Sequence, residues 1–341
     1  MSQFSHTILT EDEFKRFLFE SQVQNNFYES LVVSGQLKIQ TIDLHELQLR
    51  DIRLISRLKD LNTLDISYNC ISDIHPLQQI VSLQKLYIAC NGIKDISALL
   101  DLHNITELNI AQNEIVDILI VQHMKELKFL NAFNNQITDV TPLTHLINIT
   151  ELILCDNKIC DVKPLSSLKN LVSLNLENNK IYTVDALCAL CSLKDLNLSL
   201  NKIIDADYLA KLVKLDTLCL YKNNIIDISF LTPLSHLKEL HLQNNKILNS
   251  SEFEKLQFVN KYIDDQQIPS QADLLFHQKL VQIKKQYQNL QQEKRNIIQV
   301  SKLLKTTTVK VMQRISELPV SINNFIELFK YFIEQDQAAG Q

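Results

Sequence analysis

Apolar and polar positions follow a fixed order through the middle of the chain, and the order returns every 22 residues. The first complete copy sets Leu61, Leu64, Ile66, Ile71, Ile74, Leu77 and Ile80 at constant intervals. An asparagine keeps the same step at Asn69, Asn91, Asn113, Asn135, Asn157, Asn179, Asn201, Asn223 and Asn245, with no insertion. Self-similarity at a period of this length marks a stack of repeats. The Leu-x-Leu part of each copy alternates, which predicts a short strand with one buried face. The residues after Asn do not keep a helical period. They predict a tight turn and a short 3₁₀ or extended return, with Asp73, Asp95, Asp117, Asp139, Asp161, Asp205 and Asp227 placed to cap it. A single copy cannot bury its own apolar face, so neighbours must stack. Nine strands spaced about 4.8 Å apart make a parallel sheet roughly 40 Å long. The sheet side is the shorter wall, so the stack is expected to curve with the sheet on its concave face.

The asparagine column has a structural reason. Where each strand ends, the chain turns inward and leaves backbone groups without ladder partners, and buried backbone groups must be satisfied. A side-chain amide offers donors and an acceptor together, so stacked asparagines can bond the turns of adjacent copies.

Both ends depart from the pattern. Residues 1–36 form a predicted N-terminal helical cap, with Thr10-Glu-Asp-Glu13 as a capping box before Phe14, Phe17 and Leu18. The repeats cover 37–250, and in the degenerate first copy Leu47 stands where Asn belongs. Residues 251–341 form a predicted C-terminal helical region. Glu252 to Tyr262 is expected to be a short helix closing the last copy. Phe276, Leu280, Ile283, Tyr287, Leu290, Lys294, Ile297, Ser301 and Leu304 then step by 4 and 3 in a heptad seam. A last helix is expected near 321–335. The fold class is therefore an α/β solenoid with helical ends.

Charge sharpens the picture of the tail. Segment 271–314 carries nine Lys/Arg against two Asp/Glu, or +7, in a chain whose net charge is -5. The tail is expected to fold as a helical hairpin, to self-associate through 271–304, or to dock on an acidic surface. Only three Gly occur, and no phosphate-cradling G-x-x-x-x-G-K or G-x-G-x-x-G motif. Nine His and seven Cys are scattered, with neither H-E-x-x-H nor G-x-S-x-G; Cys188-x-x-Cys191 is a lone pair. No catalytic residue, cofactor, metal, small-molecule substrate or nucleic-acid partner is expected. The start lacks a basic, then apolar leader, and no apolar run approaches a membrane span, so a cytoplasmic setting is expected.

What the pattern specifies is a surface. Strand residues between the buried leucines face the concave side, where Phe129 and Phe133 sit within a frame of Glu107 and Glu151. Exposed aromatics of this kind are candidate anchors for a protein partner, extended by Tyr87, Asp195, Tyr221, Glu239 and His241. Alternatively, Phe129 and Phe133 fold over the space left by the small Ala132.

The unit L-x-x-L-x-[LI]-x-x-N-x-I-x-D-[IV]-x-[PA]-L-x-x-L is the leucine-rich repeat pattern. Its 22-residue period resembles the class typified by the regulatory subunit of type-1 protein phosphatase, over residues 37–250. That resemblance implies a non-enzymatic scaffold whose concave acidic and aromatic side chains hold a protein partner, with a phosphatase catalytic subunit as the family's example. Glu107, Phe129 and Glu151 match part of such a column; Ser173 breaks it, no Trp is present, and the basic tail is outside that pattern. The other reading is a structural or assembly protein that acts through the basic tail.

Overall fold

The computed structural model describes residues 40–247 and 260–263, together with the single positions Gln266, Leu274, Gln278 and Gln282. The chain divides into two units, Met1–Pro269 and Ser270–Gln341. Described positions of the first unit form one parallel sheet of eleven strands in strict sequence order. These are β1 (Thr41–Asp43), β2 (Thr63–Asp65), β3 (Lys85–Tyr87), β4 (Glu107–Asn109), β5 (Phe129–Asn131) and β6 (Glu151–Ile153). The rest are β7 (Ser173–Asn175), β8 (Asp195–Asn197), β9 (Thr217–Cys219), β10 (Glu239–His241) and β11 (Asn260–Tyr262). The expectation was nine strands; the degenerate copy adds β1 and an unpredicted strand adds β11.

Each strand is three residues long, and from β1 to β10 its central residue is buried, as the period-2 alternation requires. The apolar side chains of every copy meet in one continuous core. Leu61, Leu64, Ile66, Ile71, Leu77 and Ile80 are all fully buried. Opposite the strands, the return is a short 3₁₀ turn in each copy, from Arg53–Arg57 to Ser229–Leu231. Its entry is held by the predicted aspartates. The carboxylate of Asp73, Asp95, Asp117, Asp139, Asp161, Asp205 or Asp227 accepts the backbone N–H two residues on, at 2.7–3.1 Å. Asp51 does the same in the degenerate copy, at 2.9 Å to Arg53. Each Asp lies one residue outside the 3₁₀ N-cap, so it satisfies a first-turn donor from just before the turn.

The asparagines form a bonded ladder inside the turns. Asn157 Nδ2 lies 2.9 Å from the Ala132 carbonyl of the preceding copy and 3.1 Å from the Leu154 and Cys155 carbonyls of its own. Its Oδ1 accepts the Ile137 N–H at 3.0 Å. The same pattern recurs from Asn69 to Asn245. Leu47 breaks the column, and Asn69 Oδ1 compensates by accepting two N–H groups, those of Leu47 and Leu49.

A second column runs beside the first. The residue before each ladder asparagine has φ between 51° and 58°, from Tyr68 and Cys90 through Leu200 and Lys222 to Asn244, and none of them is glycine. The left-handed residue turns the chain so that the next side chain points inward. Asn and Asp tolerate this conformation, and they occupy it at Asn134, Asp156, Asn178 and Asn244; Tyr, Leu and Lys do so at a cost.

The expected helix at Glu252 to Tyr262 is corrected. Asn260–Tyr262 is strand β11, paired in parallel with β10. The edge of β10 presents backbone donors and acceptors, and pairing them outweighs the local pattern. Leu242 N–H reaches the Tyr262 carbonyl at 2.8 Å, and Asn260 N–H the Lys238 carbonyl at 2.8 Å. Gln266 then takes the ladder position. Its Nε2 donates to the Leu242 carbonyl at 2.9 Å and to the Ile263 carbonyl at 2.7 Å. The helices expected in 1–36, 271–314 and 321–335 lie outside the described residues, apart from Leu274, Gln278 and Gln282, which have helical backbone.

Candidate functional site: the open face of the sheet

Strand registry fixes which side chains stand together. One row runs Lys85, Glu107, Phe129, Glu151, Ser173, Asp195, Thr217, Glu239, each directly opposite the next. The parallel row runs Tyr87, Asn109, Asn131, Ile153, Asn175, Asn197, Cys219, His241, Tyr262. Phe133, Cys155, Glu177 and Tyr221 follow two residues beyond the second row.

At one end of this face, Glu107 is gripped from the neighbouring strand. Lys85 Nζ lies 2.6 Å from Oε1, and the Tyr87 hydroxyl donates to Oε2 at 2.6 Å. The Lys85 contact, then that of Tyr87, holds the Glu107 carboxyl below the usual glutamate range. Burial, then the Glu107 carboxylate, pushes the Tyr87 phenol up to about 12. In the middle, Phe129 and Phe133 are half-buried beside fully buried Ala132. Glu151 and Asp195 are exposed, and neither carboxylate has a hydrogen-bond or ion-pair partner among the described residues. Glu177 accepts from Asn197 Nδ2 at 2.9 Å.

At the other end, Glu239 lies 2.7 Å from His241 Nε2, and the His241 ring stacks on Tyr262, centroids 4.4 Å apart and 9° from parallel. The Tyr262 contact was not legible in the sequence, because its segment reads as helix. Five rungs separate the Phe129 and Glu239 clusters, roughly 24 Å. The face therefore brings Tyr87, Glu107, Phe129, Phe133 and Glu151 together at one centre and Glu239 with His241 at another. Asp195 lies between the centres, and Tyr221 stands exposed one rung before Glu239.

A further cluster lies on the first two rungs. Asp43, His45 and Asp65 hold ligand-type atoms within 4.8 Å of one another. His45 Nδ1 is 2.6 Å from Asp43, whose hydrogen bond raises the imidazole pKa, and Asp65 accepts the Ser67 N–H at 2.8 Å. These internal bonds account for the cluster. Burial first, then nearby carboxylates, pushes the Cys155 and Cys219 thiols on the face up to about 11, so both stay protonated at neutral pH.

Charge is distributed unevenly. Residues 40–247 hold 24 Asp/Glu and 19 Lys/Arg. Seven of those acids (Asp43, Asp65, Glu107, Glu151, Glu177, Asp195 and Glu239) stand on the three open-face rows against the single Lys85. The face is thus -6 and the remainder of these rungs, with 17 acids and 18 bases, is +1.

Residues 81–122 and 125–167 match the family model for leucine-rich repeats, two copies each. The chain is similar to the structure of internalin C2 from Listeria monocytogenes, with 30% identity over 53% of this chain and 80% of that one, and a TM-score of 0.51. It is similar to the internalin InlF of the same organism at 29% identity, over 69% and 84% of the two chains, with a TM-score of 0.50. A Leptospira interrogans leucine-rich repeat protein shares the fold at 20% identity over 78% and 84%, with a TM-score of 0.53. No curated protein sequence matches. The chain belongs to the leucine-rich repeat proteins.

Among the described residues, no helix is long and apolar enough to cross a membrane.

Proposed function

We propose that this protein is a non-enzymatic scaffold that captures a protein partner on the open face of its sheet, centred on Phe129 and Glu151. The observation that carries the reading is the contrast between uniform interior and varied face. Every copy repeats the same buried positions, while the face sets two aromatics, unpaired carboxylates and the net negative charge of these rungs on one surface. Aromatic side chains that a partner can cover at the centre of an interface are where binding energy concentrates. A phosphatase catalytic subunit is one partner that the resemblance of Glu107, Phe129 and Glu151 suggests.

The test is positional photo-crosslinking with the full chain. A photoreactive side chain at position 129 or 133 should label a discrete partner, and one at Ile147, exposed away from the strands, should not. Equal labelling from both positions would remove the open face as the interface.

The second reading, assembly through the basic tail, draws on the helical backbone at Leu274, Gln278 and Gln282, which fall in the stretch expected to be helical, though not on its seam. Deleting 271–341 separates the two: the scaffold reading keeps capture, the tail reading loses it.

A further inference from the structure

The carboxylates of the first row are not scattered. Glu107, Glu151, Asp195 and Glu239 stand 44 residues apart, two rungs each, and Phe129, Ser173 and Thr217 fill the rungs between. Two rungs of a sheet measure about 9.6 Å. The face thus carries a comb of four negative charges at one period over roughly 29 Å. Lys85 closes it at the rung before Glu107. Glu151 and Asp195, the central pair, are the exposed and unpaired members.

A ligand that matches this comb needs cations about 9.6 Å apart, all on one side. An α-helix rises about 1.5 Å per residue, so that interval is about 6.4 residues and successive cations drift around the helix. A β-strand covers it in about three residues, but alternate side chains then face away. A polyproline II segment has three residues per turn and a rise of about 3.1 Å, so every third residue returns to the same side after about 9.3 Å. Over three intervals the mismatch is about 1 Å, within the reach of a lysine side chain. The half-buried Phe129, between two teeth of the comb, offers the aromatic surface on which such segments pack.

We infer that the open face recognises an extended, basic segment with a Lys or Arg at every third residue, lying across the strands in polyproline II conformation. This rests on the reading of the open face as the partner surface and specifies the partner's chemistry.

Two fluorescent peptides of identical composition test it by anisotropy against the full-length protein. One is (Lys-Pro-Pro)4; its isomer has the four lysines contiguous. The evenly spaced peptide should bind at least about tenfold more tightly. The charge-neutral double variant Glu151→Gln/Asp195→Asn should reduce it to the level of the isomer. Equal binding of the two peptides, or none of either, overturns the inference. In that event, surviving crosslinks from position 129 mean that only the partner chemistry is wrong. Loss of those crosslinks as well means that the open face is not the interface.

Discussion

The asparagine ladder and the open-face row run side by side through the same rungs, yet one is constant and the other is not. From Asn69 to Asn245 the ladder repeats one residue and one bonding pattern. Over the same copies the first face row changes from Lys85 to Glu107 to Phe129 to Glu151. The ladder satisfies backbone groups that every turn leaves buried, so its chemistry is set by the fold. The face has no such duty, because its strands are already paired on both sides and their side chains point to solvent. Constancy marks what holds the stack together, and variation marks what the stack is free to recognise.

The largest expected effect lies on the ladder. Asn157→Ala would strand the Ile137 N–H in the interior and leave the Ala132, Leu154 and Cys155 carbonyls with one donor each, from Asn135, Asn179 and the Asn134 N–H, costing about 2–3 kcal/mol by the usual penalty for an unsatisfied buried group. Urea unfolding followed by circular dichroism reads it, and a loss below about 1 kcal/mol would show that water replaces the amide. The closing rung supplies a graded control. Gln266 makes two of these bonds, and its Oε1 is buried without a partner. Gln266→Ala should therefore cost less, about 1–2 kcal/mol.

Smaller still is the effect of pH on the face. The Glu107 carboxyl is lowered in the fold by Lys85 and Tyr87, so its contribution is present above the ordinary glutamate pKa and lost as pH falls through the folded value. Its side chain is 32% exposed, which limits the contribution to under about 1 kcal/mol. Glu107→Gln should flatten that acid limb. Tyr87 gives the mirror case: its contribution holds below pH 10.0 and is lost as pH rises towards about 12, and Tyr87→Phe should remove it. The smallest change is a gain. Exposed Lys222 has φ 54°, and Lys222→Asn should stabilise by roughly 0.5 kcal/mol, because asparagine tolerates the left-handed region better.

Much of this was legible in the chain. The 22-residue period gives the stacking, the buried leucines and the aspartates that cap each 3₁₀ turn, because each follows from local sequence alone. The open-face rows were legible too, since registry in a parallel stack without insertions is forced by the period. The closing rung was not. Asn260–Tyr262 carries no Leu-x-Leu pattern and follows its neighbour after 21 residues, so only the unpaired edge of β10 makes it a strand. The left-handed column was obscured because Tyr, Cys, Leu and Lys share it with Asn and Asp. The charge segregation follows from those same rows once the degenerate copy is shown to pair in register, which adds Asp43 to the face.

The most direct measurement compares affinity and stability in one protein, the Phe129→Ala/Glu151→Ala double variant. Its affinity for the crosslinked partner should fall about tenfold or more, near 1.4 kcal/mol, while its thermal midpoint stays close to that of the parent chain. Unchanged affinity, or a loss of affinity matched by an equal loss of stability, would contradict the account.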